Sequence, residues 1–122
     1  MSHMAAATYD LLIEQGTPYE RVLVLRSQVE GRPPLDLTGC SVRAQVRAHH
    51  GAGAALLYDL ATGGGLTITD PAAGKVALHV PAATSASWGW RVGVYDLELV
   101  AAGGQPLRLL QGTVRVTGEV TR

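Results

Sequence analysis

The sequence predicts an all-β domain, an antiparallel β-sandwich of about eight strands with one short helical crossover. Three observations carry this expectation. Apolar and polar residues alternate in several separate runs, as in Val42, Ala44, Val46 and Ala48 against Arg43, Gln45, Arg47 and His49. Turn formers punctuate those runs, drawn from 15 glycines and 6 prolines. The length, 122 residues, is enough for one core and short for two, so 5–122 is expected to form a single sandwich domain.

The elements follow in order. Met1-Ser2-His3-Met4 reads as an expression scar covering 1–4, which removes His3 from consideration as a site residue. A first strand is expected over 8–14 and a second over 19–27, where Arg21 to Arg26 encloses a stretch apolar on both faces. Gly31-Arg32-Pro33-Pro34 breaks the chain, and Thr38-Gly39 opens the strand at 41–49. Gly51-Ala52-Gly53 and Gly63-Gly64-Gly65 bracket a strand at 55–60. Leu66 and Ile68 alternate with Thr67 and Thr69 over 65–69, and Asp70-Pro71-Ala72-Ala73-Gly74 forms the next turn. In the strand at 75–80, Val76, Leu78 and Val80 share the inner face. Pro81 to Ser87 permits one helical turn crossing between sheets, packed by Trp88 or Trp90. The last strands, 92–101 and 107–117, form a hairpin around Gly103-Gly104. The expected core contains Val42, Val46, Leu66, Ile68, Val76, Leu78, Leu97, Leu99, Val114 and Val116.

Composition excludes several classes of function. Cys40 is the single cysteine, so no internal disulfide can staple the fold. Ten basic and ten acidic residues cancel, which leaves no electrostatic footprint for nucleic acid or an acidic membrane. No apolar run approaches the roughly 20 residues of a membrane helix, and Ala5-Ala6-Ala7 is too short for a signal-peptide core.

Asp96 and Glu98 are the first candidates for chemistry. Two apart on a strand, they share a face about 7 Å apart, a spacing compatible with a carboxylate pair. A general acid also needs an apolar enclosure that raises its pKa. Arg108 or Arg115 on the facing strand would instead make them ordinary cross-strand ion pairs, and that is the expectation. His49 and His50 are adjacent and would point to opposite faces, while His79 belongs to another strand, so no metal ligand set is expected. Cys40 lacks a partnered histidine nearby and reads as a packing residue. Gly63-Gly64-Gly65 lacks the Lys-Ser/Thr of a phosphate loop. Trp88-Gly89-Trp90 places both indoles on one side if extended, as a sugar-stacking platform or as packing. No catalytic residue and no cofactor are expected.

Two apolar clusters exceed what a two-layer sandwich can bury. Either Val22 and Val24 or Leu23 and Leu25 must face outward, and Leu107, Leu109 and Leu110 cannot all point inward in a regular strand. Side by side, these strands would make an apolar patch of a few hundred Å², the size that marks an interface. A homo-oligomer is expected, dimer or trimer.

The stretches "YDLLIEQGTPYERVLVL", "PLDLTGCSVRAQVRAHHGAGAALLYDL" and "GVYDLELVAAGGQPLRLLQGTVRVTGEVTR" resemble small tailed-phage and prophage proteins, and the N-terminal β-sandwich domain of phage upper baseplate proteins. The shared features are a "DLTG" turn, an "R-x-Q-x-R" strand, a "GG-x-T-x-T" turn-strand, "Y-D-L-E-L" and a closing "G-x-V-x-V" hairpin, in that order over nearly the whole chain. Where that family ends its crossover in a short "G-x-Y" turn, this chain has Ser87-Trp88-Gly89-Trp90-Arg91. The resemblance implies an immunoglobulin-like or baseplate-like sandwich in a tail, baseplate or head-tail region, located in the virion after synthesis in the host cytoplasm. It implies other virion proteins as partners and supplies no catalytic residues. The alternative is a carbohydrate- or host-surface-binding module using Trp88 and Trp90.

Overall fold

The computed structural model describes residues 7–27, 31, 33–61, 65–101 and 103–118. Met1-Ser2-His3-Met4, Arg32 and Gly63-Gly64 lie outside these. The fold is an all-β sandwich, and each run of alternation has become a strand. They are β1 (Ala7–Thr8), β2 (Leu11–Glu14), β3 (Tyr19–Val24), β4 (Ser41–Arg47), β5 (Leu56–Asp59), β6 (Leu66–Asp70), β7 (Lys75–Val80), β8 (Val92–Val100) and β9 (Pro106–Thr117). The crossover is α1 (Ala82–Ala86), capped by Pro81 in an extended conformation.

The larger sheet has the order β1-β9-β8-β4-β5, with β2 also paired to β9. The smaller sheet has the order β3-β7-β6. Since β7 belongs to one sheet and β8 to the other, α1 lies on one of the connections that cross the sandwich. Leu97 and Tyr95 of β8, Ala44 and Val46 of β4 and Val114 and Val116 of β9 meet Val76, Leu78 and Val80 of β7 in one core. Of the ten expected core residues, Val46, Val76, Leu78, Leu97, Val114 and Val116 are buried. Val42, Leu66, Ile68 and Leu99 are partly buried and pack against them.

The expected antiparallel arrangement fails at the N-terminus. β1 and β2 run parallel to β9, with Ala7 opposite Leu110 and Leu11 opposite Val114. The expected single strand over 8–14 is also interrupted at Tyr9-Asp10. There the Asp10 Oδ1 accepts the Thr113 N–H at 2.9 Å, a side chain standing in for a backbone acceptor. The Tyr95 hydroxyl, reaching outward from the core, donates to the Tyr9 carbonyl and fixes the same break. Burial pushes the Tyr95 phenol well above its ordinary range.

The second expected strand, 19–27, ends at Val24. Beyond it, Leu25 N–H donates to Gly74 and Leu25 carbonyl accepts from Leu35, so a returning segment takes over from β7 as its neighbour. Leu25 is buried, 2% exposed, and Leu23 packs against the core, which leaves Val22 and Val24 as the outward set.

A bulge settles the crowded leucines. Leu97 faces Leu110 and Glu98 faces Arg108, so Leu109 is an extra residue on β9. The shift lets two consecutive leucines reach the interior: Leu109 is 6% exposed and Leu110 packs against the core, while Leu107 stays exposed near the strand end. Leu23, Leu25 and Leu109 are therefore interior residues rather than an interface. The expected single patch does not form, because Val22 and Val24 belong to the smaller sheet and Leu107 to the larger.

Candidate functional site

The outward positions of β4 and β8 build a charged groove on the larger sheet. Arg43, Gln45 and Arg47 alternate out of β4, and β8, paired antiparallel to it, sets Glu98 beside Arg43 and Asp96 beside Gln45. Arg108 and Gln111 of β9 close the far side, and the His49-His50-Gly51 turn closes one end. The depression encloses about 420 Å³.

Both of its acids are paired with arginines inside it. Arg43 Nε donates to Glu98 Oε1 at 2.6 Å, and Arg108 Nε lies 3.3 Å from Asp96 Oδ2. Arg108 reaches Asp96 diagonally because the bulge at Leu109 has set it opposite Glu98. Arg115, the other expected partner, pairs instead with Val92 and Leu12 further along β9. A second chain of bonds runs from Arg47 Nη2 to Gln45 Oε1 at 2.8 Å and from Gln45 Nε2 to Asp59 Oδ2 at 3.0 Å. Arg47 Nη1 also donates to the Ala54 carbonyl at 2.9 Å, tying the loop before β5 to the sheet.

This arrangement determines what the acids can do. A guanidinium, not an apolar wall, lies against each carboxylate, and both carboxylates are open to water. A proton-donating acid needs the opposite surroundings. Replacing Asp96 and Glu98 with Asn and Gln should change stability by no more than about 1 kcal/mol, as for other exposed pairs. A urea unfolding curve of the double variant tests this. A loss beyond about 2 kcal/mol would mean the pairs act as a coupled network.

The histidines do not converge. His49 Nδ1 donates to the His50 carbonyl at 2.7 Å within the turn, whereas His79 lies on the smaller sheet, 3.6 Å from Glu20. Among the described residues no three His, Cys, Asp or Glu side chains come together. Cys40 is half-buried, its Sγ 3.8 Å from the Thr38 carbonyl. It follows the "DLTG" turn, where Asp36 Oδ1 accepts from both the Thr38 N–H and hydroxyl, at 3.0 and 2.6 Å. Those two bonds hold the Asp36 carboxyl below its ordinary range. Among the described residues no helix is long and apolar enough to cross a membrane.

Trp88 and Trp90 do meet on one side of the chain, but they face each other. Their ring centroids are 4.7 Å apart at 31°, and the Tyr58 ring meets Trp88 edge-on at 5.2 Å. All three pack against the core. A sequence pattern cannot reveal what holds this corner. Gln15, buried just after β2, donates through Nε2 to the Ala86 and Trp88 carbonyls at 3.3 and 3.0 Å. Fully buried Ser85 accepts the Gly16 N–H at 2.9 Å. The crossover is thus clamped to the N-terminal segment from about seventy residues away.

A different surface element emerges at the rim of the smaller sheet. Val22, 63% exposed, and Val24 project from β3, whose backbone has β7 on one side and, among the described residues, no strand on the other. No protein-family model matches the chain, and no curated protein matches it.

Proposed function

We propose that the chain is a non-enzymatic structural component of a tailed-phage or prophage particle, located in the virion and acting through protein–protein contacts that include its own copies. One observation carries this reading. The polar residues of the motifs that resemble phage proteins, Arg43, Gln45 and Arg47 of "R-x-Q-x-R" and Asp96 and Glu98 of "Y-D-L-E-L", are bonded to one another, to Arg108 and to Asp59. Residues used this way hold a sheet face together, as an assembly module requires. The tryptophan alternative draws less support. A sugar platform presents a free aromatic face, whereas Trp88 and Trp90 are stacked on each other and against the core.

Mass spectrometry of purified particles from a lysogen carrying the gene tests the proposal. The chain should co-sediment with assembled particles at a fixed stoichiometry, and deleting its gene should arrest tail or head-tail assembly. Complete, infectious particles formed without the chain would overturn it.

A further inference from the structure

We infer that two copies of this chain pair edge to edge through β3, antiparallel about a two-fold axis at Val22, fusing their smaller sheets into one six-stranded sheet. The inference rests on the reading of the chain as an assembly module and adds the surface, the partner and the register.

Open edges are normally blunted by bulges, breaks, coverage or charged side chains, and of these β3 carries only the charges of Glu20 and Arg21. β5 is displaced by a register shift at Val46/Arg47, β6 by one at Ile68/Asp70, and the edge formed by β1 and β2 is broken at Tyr9-Asp10. β3 pairs with β7 through six consecutive residues with no shift. It is the one regular edge among the described residues.

The ladder between β3 and β7 fixes which backbone groups face the open edge. His79 N–H donates to the Gly65 carbonyl, toward the β6 side of β7. Alternation then directs the backbone groups of Val76, Leu78 and Val80 toward β3, where their partners are Leu23, Arg21 and Tyr19. The N–H and C=O groups of Glu20, Val22 and Val24 therefore face the open edge. Their side chains share the outer face, so the hydrogen-bonding rim and the exposed valines belong to the same three residues.

The side chains along β3 and β7 fit a second copy as the occupant. With the axis at Val22, Val22 stands opposite the partner's Val22 and Glu20 opposite the partner's Val24. Val22 is flanked in its own sheet by Ala77, so the four central positions of that row are apolar, with Thr67 of β6 at each end. Val24 is flanked by Lys75 and Glu20 by His79. Each outer row thus runs from His79 and Glu20 to the partner's Val24 and the partner's Lys75. Two strand spacings, roughly 9.5 Å, separate Glu20 from that lysine, a gap the two long side chains span. Sliding the register to place the axis at Arg21 would instead set two guanidinium groups opposite each other, a like-charge contact.

The register makes the inference testable with cysteine variants in a Cys40→Ser background. Val22→Cys would bring two cysteines about 5.5 Å apart between Cα atoms, within disulfide range. Val24→Cys would hold its pair roughly 14 Å apart, beyond reach. Mild oxidation should cross-link Val22→Cys at least about tenfold faster than Val24→Cys. Sedimentation of the wild-type chain should show mass rising toward a dimer by about 100 μM, as mass action requires, and Val22→Lys should weaken that association at least about tenfold. If Val22→Lys does not fold, the ratio of cross-linking rates decides. A strict monomer at about 100 μM overturns the inference, whatever other protein then binds the edge. Equal cross-linking of the two cysteine variants also overturns it, as does a dimer that a folded Val22→Lys leaves intact. A monomer would leave the particle experiment untouched, and particles lacking the chain would leave this one untouched.

Discussion

Leu97→Ala should destabilise the chain by about 2–5 kcal/mol, read as a lower urea midpoint with an unchanged slope. Leu97 is 0% exposed and lies on β8, between β4 and β9 in the larger sheet. Its neighbours across the two ladders are Ala44 and Leu110, and the core it enters includes Val76 and Leu78 from the opposite sheet. Ala44 is too small to fill the vacated space. The flanking strands are held by ladders on both sides and cannot collapse into it. A cavity should therefore remain, and its cost adds to the lost burial of the leucine side chain. A loss under about 1 kcal/mol would show that the sheets close over the gap and that the core is less rigid than its burial implies.

Leu97 was also among the residues most legible from sequence. It lies in a run where apolar and charged residues alternate without interruption, and a strand with one wet face must show that pattern. The same logic identified Val46, Val76, Leu78, Val114 and Val116. It could not decide between Val22 with Val24 and Leu23 with Leu25, because a run apolar on both faces carries no phase. The deciding contacts are remote: Gly74 and Leu35 draw Leu25 inward. Nor could it foresee that Leu109 and Leu110 both reach the interior, since a bulge breaks the period on which the inference depends. The parallel pairing of β1 and β2 with β9 was hidden for a related reason. Alternation reports which side of a strand is buried and says nothing of the direction in which its neighbour runs. Of the charged groove, the two acids and Arg108 were visible as partners, but Arg43 enters through a strand pairing that only the topology creates. The rim of β3 was visible as surplus hydrophobicity. Its availability as a backbone edge was not.

Gly74→Ala is expected to cost roughly 2–5 kcal/mol, from two separate sources. Gly74 closes the turn after Pro71–Ala73 with φ at 70°, in the left-handed region, where a side chain costs about 1–2 kcal/mol. The second source is crowding. A Cβ at this position would lie 2.7 Å from the Leu25 carbonyl oxygen and 2.8 Å from that of Leu35, both of them backbone atoms that cannot rotate away. Forcing such groups apart typically adds about 1–3 kcal/mol. The site is a knot of three segments: Gly74 carbonyl accepts the Leu25 N–H at 2.8 Å, Leu35 donates to the Leu25 carbonyl at 2.9 Å, and Leu37 donates to the Pro71 carbonyl at 2.8 Å. Gly104→Ala separates the two sources. Gly104 has φ at 87° but nothing within 4 Å of its Cβ position, so it should show the conformational cost alone. Matched urea unfolding curves should place Gly74→Ala at least about 1 kcal/mol below Gly104→Ala. Equal losses would mean that the Leu25 and Leu35 segments yield to the new methyl group, and that the end of β3 is not anchored as the hydrogen bonds around Gly74 require.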